Sequence, residues 1–126
     1  MADETISCEL CARDQLVIEN ALAYVRHDGN SLSKGHVLVV PKRHVAGFFD
    51  LTEEEHAAIS TLLRQAQARI QAEHAPDGYN IGVNIGKAAG QARMHVHVHL
   101  IPRYAGDVPD ARGGIRCVLA GKPPAA

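Results

Sequence analysis

The sequence predicts an α+β protein, a five-stranded, mostly antiparallel sheet carrying one long helix. Three observations carry that reading. Five short apolar or alternating segments are set off by glycine, proline and asparagine. One longer segment, near 53–74, repeats its apolar residues at helical spacing. No strand–helix–strand order recurs, as a parallel sheet would require.

The stretch "LVIENALAYVRHD" reads as two strands, near 15–18 and 22–27, with a turn at Glu19-Asn20. "HVLVVPK" gives a third strand near 36–40, and its unbroken apolar run predicts burial on both faces. Pro41 ends it, because proline donates no ladder hydrogen bond. Thr52-Glu53-Glu54-Glu55 is a capping box, in which threonine and the third glutamate each satisfy a backbone N–H of the first turn. The glutamates also suit the positive end of the helix dipole. Ile59, Leu62, Leu63, Ala66 and Ile70 then form one apolar stripe. "GYNIGVNIG" is strand four, running into a glycine-bounded loop at 86–90, and "MHVHVHLIP" is strand five.

The 126 residues fit one domain, 1–126, with 1–7 and 117–126 expected as loose tails. A net charge of -1 argues against a nucleic acid polymer as partner, which calls for a basic excess. No apolar run reaches the ~20 residues that span a bilayer. The N-terminus lacks the features of a signal peptide, so the expected location is cytoplasmic with no membrane partner. There, Cys8 and Cys11 in C-x-x-C spacing read as metal or redox chemistry rather than a disulfide.

The chemistry concentrates in "RMHVHVHLIPR". Strand alternation puts His95, His97 and His99 on one face, and Val96, Val98 and Leu100 on the other, against the helix. Three imidazoles at that spacing span roughly 13 Å. All three cannot bind one zinc ion at Zn–N distances of about 2 Å. Two readings therefore stay open from the residues alone: metal ligation by His95 and His97, or a histidine nucleophile. Just upstream, Gly86 and Gly90 bound a loop whose backbone N–H groups can cradle an anion. Neutral imidazole beside such a cradle suits phosphoryl transfer through a phosphorus–nitrogen intermediate.

"NIGKAAGQARMHVHVHLIPRY" resembles the histidine triad (HIT) family of nucleotide hydrolases and transferases. The resemblance extends through "GHVLVVPKRH" and "FFDLTEEE" upstream and "AGDV" and "GGIR" downstream, covering about Cys8 to Arg116. It implies a homodimer with one nucleotide site per subunit and a small purine nucleotide as substrate. It also implies that His97 attacks the α-phosphate of a phosphoramidate or dinucleoside polyphosphate. A nucleotidyl-histidine would form and be hydrolysed to the nucleoside monophosphate. On the same basis His99 holds phosphate or orients His97, Asn84 and Gln91 contact phosphate oxygens or the leaving group, and Gly90 admits the backbone to the phosphate. Asp28, eight residues before His36, accepts from the ribose hydroxyls; Asp28-Gly29-Asn30 is also good turn chemistry.

Members resembling this chain in their N-terminal C-x-x-C bind structural zinc, which here implies Cys8, Cys11, His44 and His95 as ligands. The chain departs from the pattern at Ala92, where many members carry serine or threonine, and at Arg93, commonly apolar. Lys87 and Arg103 read as solvated charges, Cys117 as a plain thiol, and His27, His36, His56 and His74 as surface or packing residues. Two further readings remain: a zinc-dependent hydrolase using His95 and His97 as ligands, and a non-catalytic nucleotide- or partner-binding module.

Overall fold

The sheet has the order β1-β2-β3-β5-β4 with every neighbour antiparallel, in a computed structural model that describes residues 8–119. The strands are β1 (Leu16–Glu19), β2 (Ala23–His27), β3 (Val37–Pro41), β4 (Gly78–Gly82) and β5 (Val98–Arg103), and the helix α1 is Glu53–His74. Among the described residues no helix is long and apolar enough to cross a membrane.

Local signals set the boundaries that the sequence anticipates. The Asn20 side chain accepts from the backbone N–H groups of Leu22 and Ala23 and closes the β1–β2 turn. At the start of α1 the Glu55 N–H donates to Thr52 Oγ1 at 3.1 Å, and the Thr52 N–H donates to Glu55 Oε1 at 2.9 Å. Arg43 grips the same buried carboxylate at 2.8 and 3.1 Å, tying the loop after β3 to the helix start. That pair and the Thr52 N–H hold the Glu55 carboxyl below its ordinary pKa. Ala75 ends the helix in the left-handed conformation.

The sheet buries both faces unequally. Val25, Val39, Val98 and Leu100 pack with Ile59 and Leu62 of α1 in the main core, as the apolar alternation predicts. On the opposite face Tyr24, Leu38 and Val40 bury Leu10, whose segment lies between the two N-terminal cysteines. The Tyr24 hydroxyl also donates to the Leu10 carbonyl. This second face carries the site.

Two strands are shorter than expected. β5 starts at Val98, so His95 and His97 precede it, and β4 stops at Gly82. The last β3–β5 rung is Val39 with Val98. Two residues further, Pro41 would face Val96, and proline has no N–H to donate. The chain leaves the ladder instead. The Val96 N–H donates to the Val45 carbonyl, and His95 Nε2 donates to the Pro41 carbonyl at 2.8 Å. Once β5 begins at Val98, β4 has no partner beyond the rung of Gly82 with His99. At the far end, Gly114–Val118 form a 3-10 turn that packs on β4. The expected C-terminal tail therefore begins inside a turn, and its remainder, with 1–7, lies outside the described residues.

Candidate active site and metal centre

The three histidines meet two environments, His95 turning to the N-terminal cysteines and His97 and His99 to a pocket. His95, fully buried, turns Nδ1 toward the N-terminal segment, 3.3 Å from Cys8 Sγ and 3.4 Å from Cys11 Sγ. His44 Nδ1 lies 3.2 Å from Cys11 Sγ. The four ligand atoms fall within 4.8 Å of one another. Because His95 Nε2 donates to the Pro41 carbonyl, its proton sits there and Nδ1 presents a lone pair. Two sulfurs and two imidazole nitrogens this close match a tetrahedral zinc set, with a backbone carbonyl fixing the histidine tautomer. Burial also holds His95 below its ordinary pKa, which favours the neutral, ligating form.

His97 and His99 face a pocket of about 250 Å³ on the same side of the sheet. His97 Nδ1 lies 2.9 Å from the His95 carbonyl oxygen. A carbonyl only accepts, so Nδ1 carries the proton and Nε2 keeps its lone pair. The network assigns a second tautomer chain as well. The Leu32 N–H donates to His36 Nδ1 at 3.0 Å, which leaves the His36 proton on Nε2. That proton points to His99 Nδ1 at 3.0 Å, with Asp28 Oδ2 at 3.4 Å. His99 then carries its own proton on Nε2. The His97 and His99 rings meet edge to face, centroids 5.2 Å apart.

Asp28, His36 and His99 also bring ligand atoms within 4.8 Å of one another. The Leu32 N–H argues for a relay there, since it keeps a proton on the His36 nitrogen that a metal would need bare. Sequence reasoning left His36 out of the site, reading it as a surface or packing residue. It packs at 1% exposure against His99, and burial lowers its pKa. A signal existed: Asp28 and His36 flank one short turn, eight residues apart.

The other expected residues divide. Asp28, Asn84 and Gly90 line the pocket with His97 and His99. Asp28 has the turn geometry anticipated for it, with Oδ1 accepting the Asn30 N–H, while Oδ2 faces His36 and His99. Gly90, at φ +94, closes the loop in a conformation that strains any side chain. Gln91 is engaged elsewhere. Its amide donates to the Ala46 and Arg93 carbonyls at 2.7 and 2.9 Å and accepts the Gly86 N–H at 2.9 Å. A phosphate contact from Gln91 would have to break one of these bonds. Arg103 is paired outside the pocket with Asp107 and Asn80, consistent with reading it as no phosphate ligand.

Comparison with known proteins gives the class. The HIT domain model matches residues 10–106, and the chain belongs to that family. It is 38% identical over 104 residues to a HIT-like protein of Methanocaldococcus jannaschii, covering 81% of this chain and 77% of that one. It is 36% identical over 93 residues to the AP-4-A phosphorylase of Mycobacterium tuberculosis, covering 73% of this chain but 48% of the relative. It is 43% identical over 79 residues to the nitrilase and fragile histidine triad fusion protein of Caenorhabditis elegans, covering 63% of this chain and 18% of the fusion. The chain thus spans half or less of these last two relatives. Among solved structures, a zinc-bound histidine triad protein from Mycobacterium smegmatis superposes with a TM-score of 0.74 at 29% identity, covering 84% of this chain and 86% of the other.

Proposed function

We propose that this protein hydrolyses a small purine nucleotide at its α-phosphate through a covalent nucleotidyl-histidine on His97. The observation that carries the reading is the hydrogen bond from His97 Nδ1 to the His95 carbonyl, which leaves Nε2 as a free nucleophile at the pocket. Kinship with a protein named AP-4-A phosphorylase supports a nucleotide polyphosphate or phosphoramidate as substrate. His97 Nε2 attacks the α-phosphorus, and the bond to the leaving amine or phosphate breaks. The leaving group departs with the electron pair and takes up a proton. Water then attacks the same phosphorus, the phosphorus–nitrogen bond breaks, and His97 is regenerated with release of the nucleoside monophosphate.

The surrounding residues have matching roles. His99 Nε2–H donates to a phosphate oxygen, held in that tautomer by His36. Asn84 donates an uncharged hydrogen bond to the phosphate side, and the Gly90 backbone approaches it. Asp28 accepts from the ribose hydroxyls. Gln91 acts by positioning the 86–90 loop. Cys8, Cys11, His44 and His95 would hold zinc, which supplies rigidity between the N-terminal segment and the histidine segment. The reading with His95 and His97 as joint ligands of a catalytic zinc has less support, since the bare nitrogen of His95 turns to Cys8 and Cys11 and clusters with them and His44, without His97.

The same reading includes a cytoplasmic homodimer. β4 is an edge strand, and beside it Ile59, Leu63, Ile81, Val83 and Val98 line an apolar groove with Phe48. Ile81 is 53% exposed there. An edge strand pairs readily with its own copy across a two-fold axis, which removes both edges at once. Light scattering giving a monomer mass would overturn that part.

The deciding experiment is adenosine 5′-phosphoramidate hydrolysis by wild type and His97→Ala, with the intact mass of acid-quenched wild type. A nucleotidyl adduct on wild type and no turnover in the variant support the mechanism. Turnover surviving in His97→Ala overturns it. A folded wild type that binds nucleoside monophosphate without any turnover favours the binding-module reading instead.

A further inference from the structure

The pocket has a charged wall that the reaction above does not use. Arg26 is the fourth residue of β2, buried to 4% exposure in an otherwise apolar strand. Its guanidinium lines the pocket and is held by Glu9. Arg26 Nη2 donates to Glu9 Oε1 at 3.2 Å, and Nη1 donates to the Glu9 backbone carbonyl at 3.5 Å. Glu9 Oε2 accepts from Arg93, whose segment leads into the histidines. Glu9 itself sits between Cys8 and Cys11, and its side chain is half exposed.

The placement identifies what this wall meets. Arg26 lies two residues before Asp28 along the chain, on the same face by strand alternation and roughly 7 Å away. If Asp28 takes the ribose and His97 the phosphate, the next group along the pocket is the base. Leu10 and Leu38, which line the same end, provide an apolar floor for a flat ring. A wall built only for stacking would not bury a guanidinium, which costs several kcal/mol to desolvate without compensating partners.

We propose, building on the nucleotide reading above, that Glu9 and Arg26 select the base and that they select guanine over adenine. Each Glu9 oxygen accepts one arginine N–H and keeps a lone pair. Two adjacent acceptors match the guanine N1–H and 2-amino group. The two Arg26 N–H groups not engaged by Glu9 or the His27 carbonyl match the acceptors on the adjoining edge of the purine, O6 and N7. Adenine inverts the match, since its N1 lone pair faces the carboxylate and its 6-amino group faces the guanidinium. Inosine keeps N1–H and O6 but lacks the 2-amino group, so the gap between GMP and IMP reports the second Glu9 contact alone.

The test is calorimetric binding of GMP, IMP and AMP to the zinc-containing protein, which needs no turnover because all three are products. The expected order is GMP, then IMP, then AMP, with GMP ahead of AMP by ~10-fold or more, the discrimination a paired base-edge contact supplies. Glu9→Gln, at a half-exposed position, should collapse the gap between GMP and IMP. GMP and AMP binding alike in wild type overturns the proposal, as does a GMP advantage over IMP that survives undiminished in Glu9→Gln. Should that variant fail to fold, IMP equal to GMP in wild type overturns it equally. Equal binding of all three leaves the nucleotide reading standing, whereas binding of none removes both.

Discussion

His97 Nδ1 lies 2.9 Å from the carbonyl oxygen of His95, two residues before it. One backbone atom thus sets the tautomer of the proposed nucleophile, while the side chain of the same residue faces the cysteines. His97→Asn separates the two functions of the ring. The amide can still donate to the carbonyl but offers no nucleophilic nitrogen. Zinc content and nucleoside monophosphate affinity should stay near wild type, while kcat falls by ~10³-fold or more, the scale seen when a nucleophile is removed. Equal losses in binding and turnover would show that His97 only shapes the pocket.

Cys8 and Cys11 bracket Glu9 and Leu10, so the proposed zinc ligands and the pocket wall share four residues of chain. Cys8→Ser should lower zinc content and raise amide exchange at Glu9 and Leu10. It should leave the α1 face protected, because that core lies across the sheet. Hydrogen exchange with metal analysis checks this. Uniform loss of protection would make the Cys8–Cys11 segment part of the global fold rather than a wall attached to it.

Gln91 ties the 86–90 loop to Ala46 and Arg93 by three bonds to backbone. Gln91→Ala removes these part-buried bonds, each worth roughly 0.5–1.5 kcal/mol, and should cost ~1–3 kcal/mol. Through the displaced loop, KM should rise more than kcat falls. Unchanged urea stability would remove the positioning role.

Much of this architecture is legible in the sequence because its signals are local. The Thr52 capping box and the apolar stripe after it predict Glu53–His74 to the residue. The start of β5 is not legible in the same way. Pro41 ends that ladder from 54 positions away, and only the register of the folded sheet places it opposite the histidine segment. His36 was hidden for the same reason, since it acts on His99 across 63 positions. The clustering of Cys8 and Cys11 with His44 and His95 is readable only through resemblance, as the two histidines bear no fixed spacing to the cysteines. Arg26 gave a local sign, a charge inside an apolar strand, but its partner Glu9 lies in another segment.

The helix start offers a stability test independent of the site. Thr52→Ala removes one half of the capping box and should cost ~1 kcal/mol. Glu55→Ala should cost more, because it removes the acceptor of the Thr52 N–H together with the carboxylate that Arg43 holds. Urea midpoints at constant m-value decide the order. Equal losses would mean that the Arg43 contact adds nothing.

The histidine relay makes stability depend on pH in a defined direction. Burial lowers the pKa of both His36 and His99 from the ordinary 6.5. The folded protein therefore resists protonation that the unfolded chain accepts. Above pH 6.5 neither state is charged at these positions, and the full stability is present. As pH falls through 6.5 the unfolded state binds protons first, so stability declines until the folded-state pKa values are passed. The carboxylates held low by ion pairs, such as Asp107 at about 2, titrate well below this window. His36→Gln keeps a group able to accept the Leu32 N–H but removes one titration. Its unfolding free energy should fall less steeply than wild type between pH 6.5 and 5. Because zinc ligation also responds to pH, the comparison is made between the two proteins at matched zinc content. Parallel slopes would show that His36 titrates alike in both states, and the buried tautomer chain through His99 would lose its physical basis.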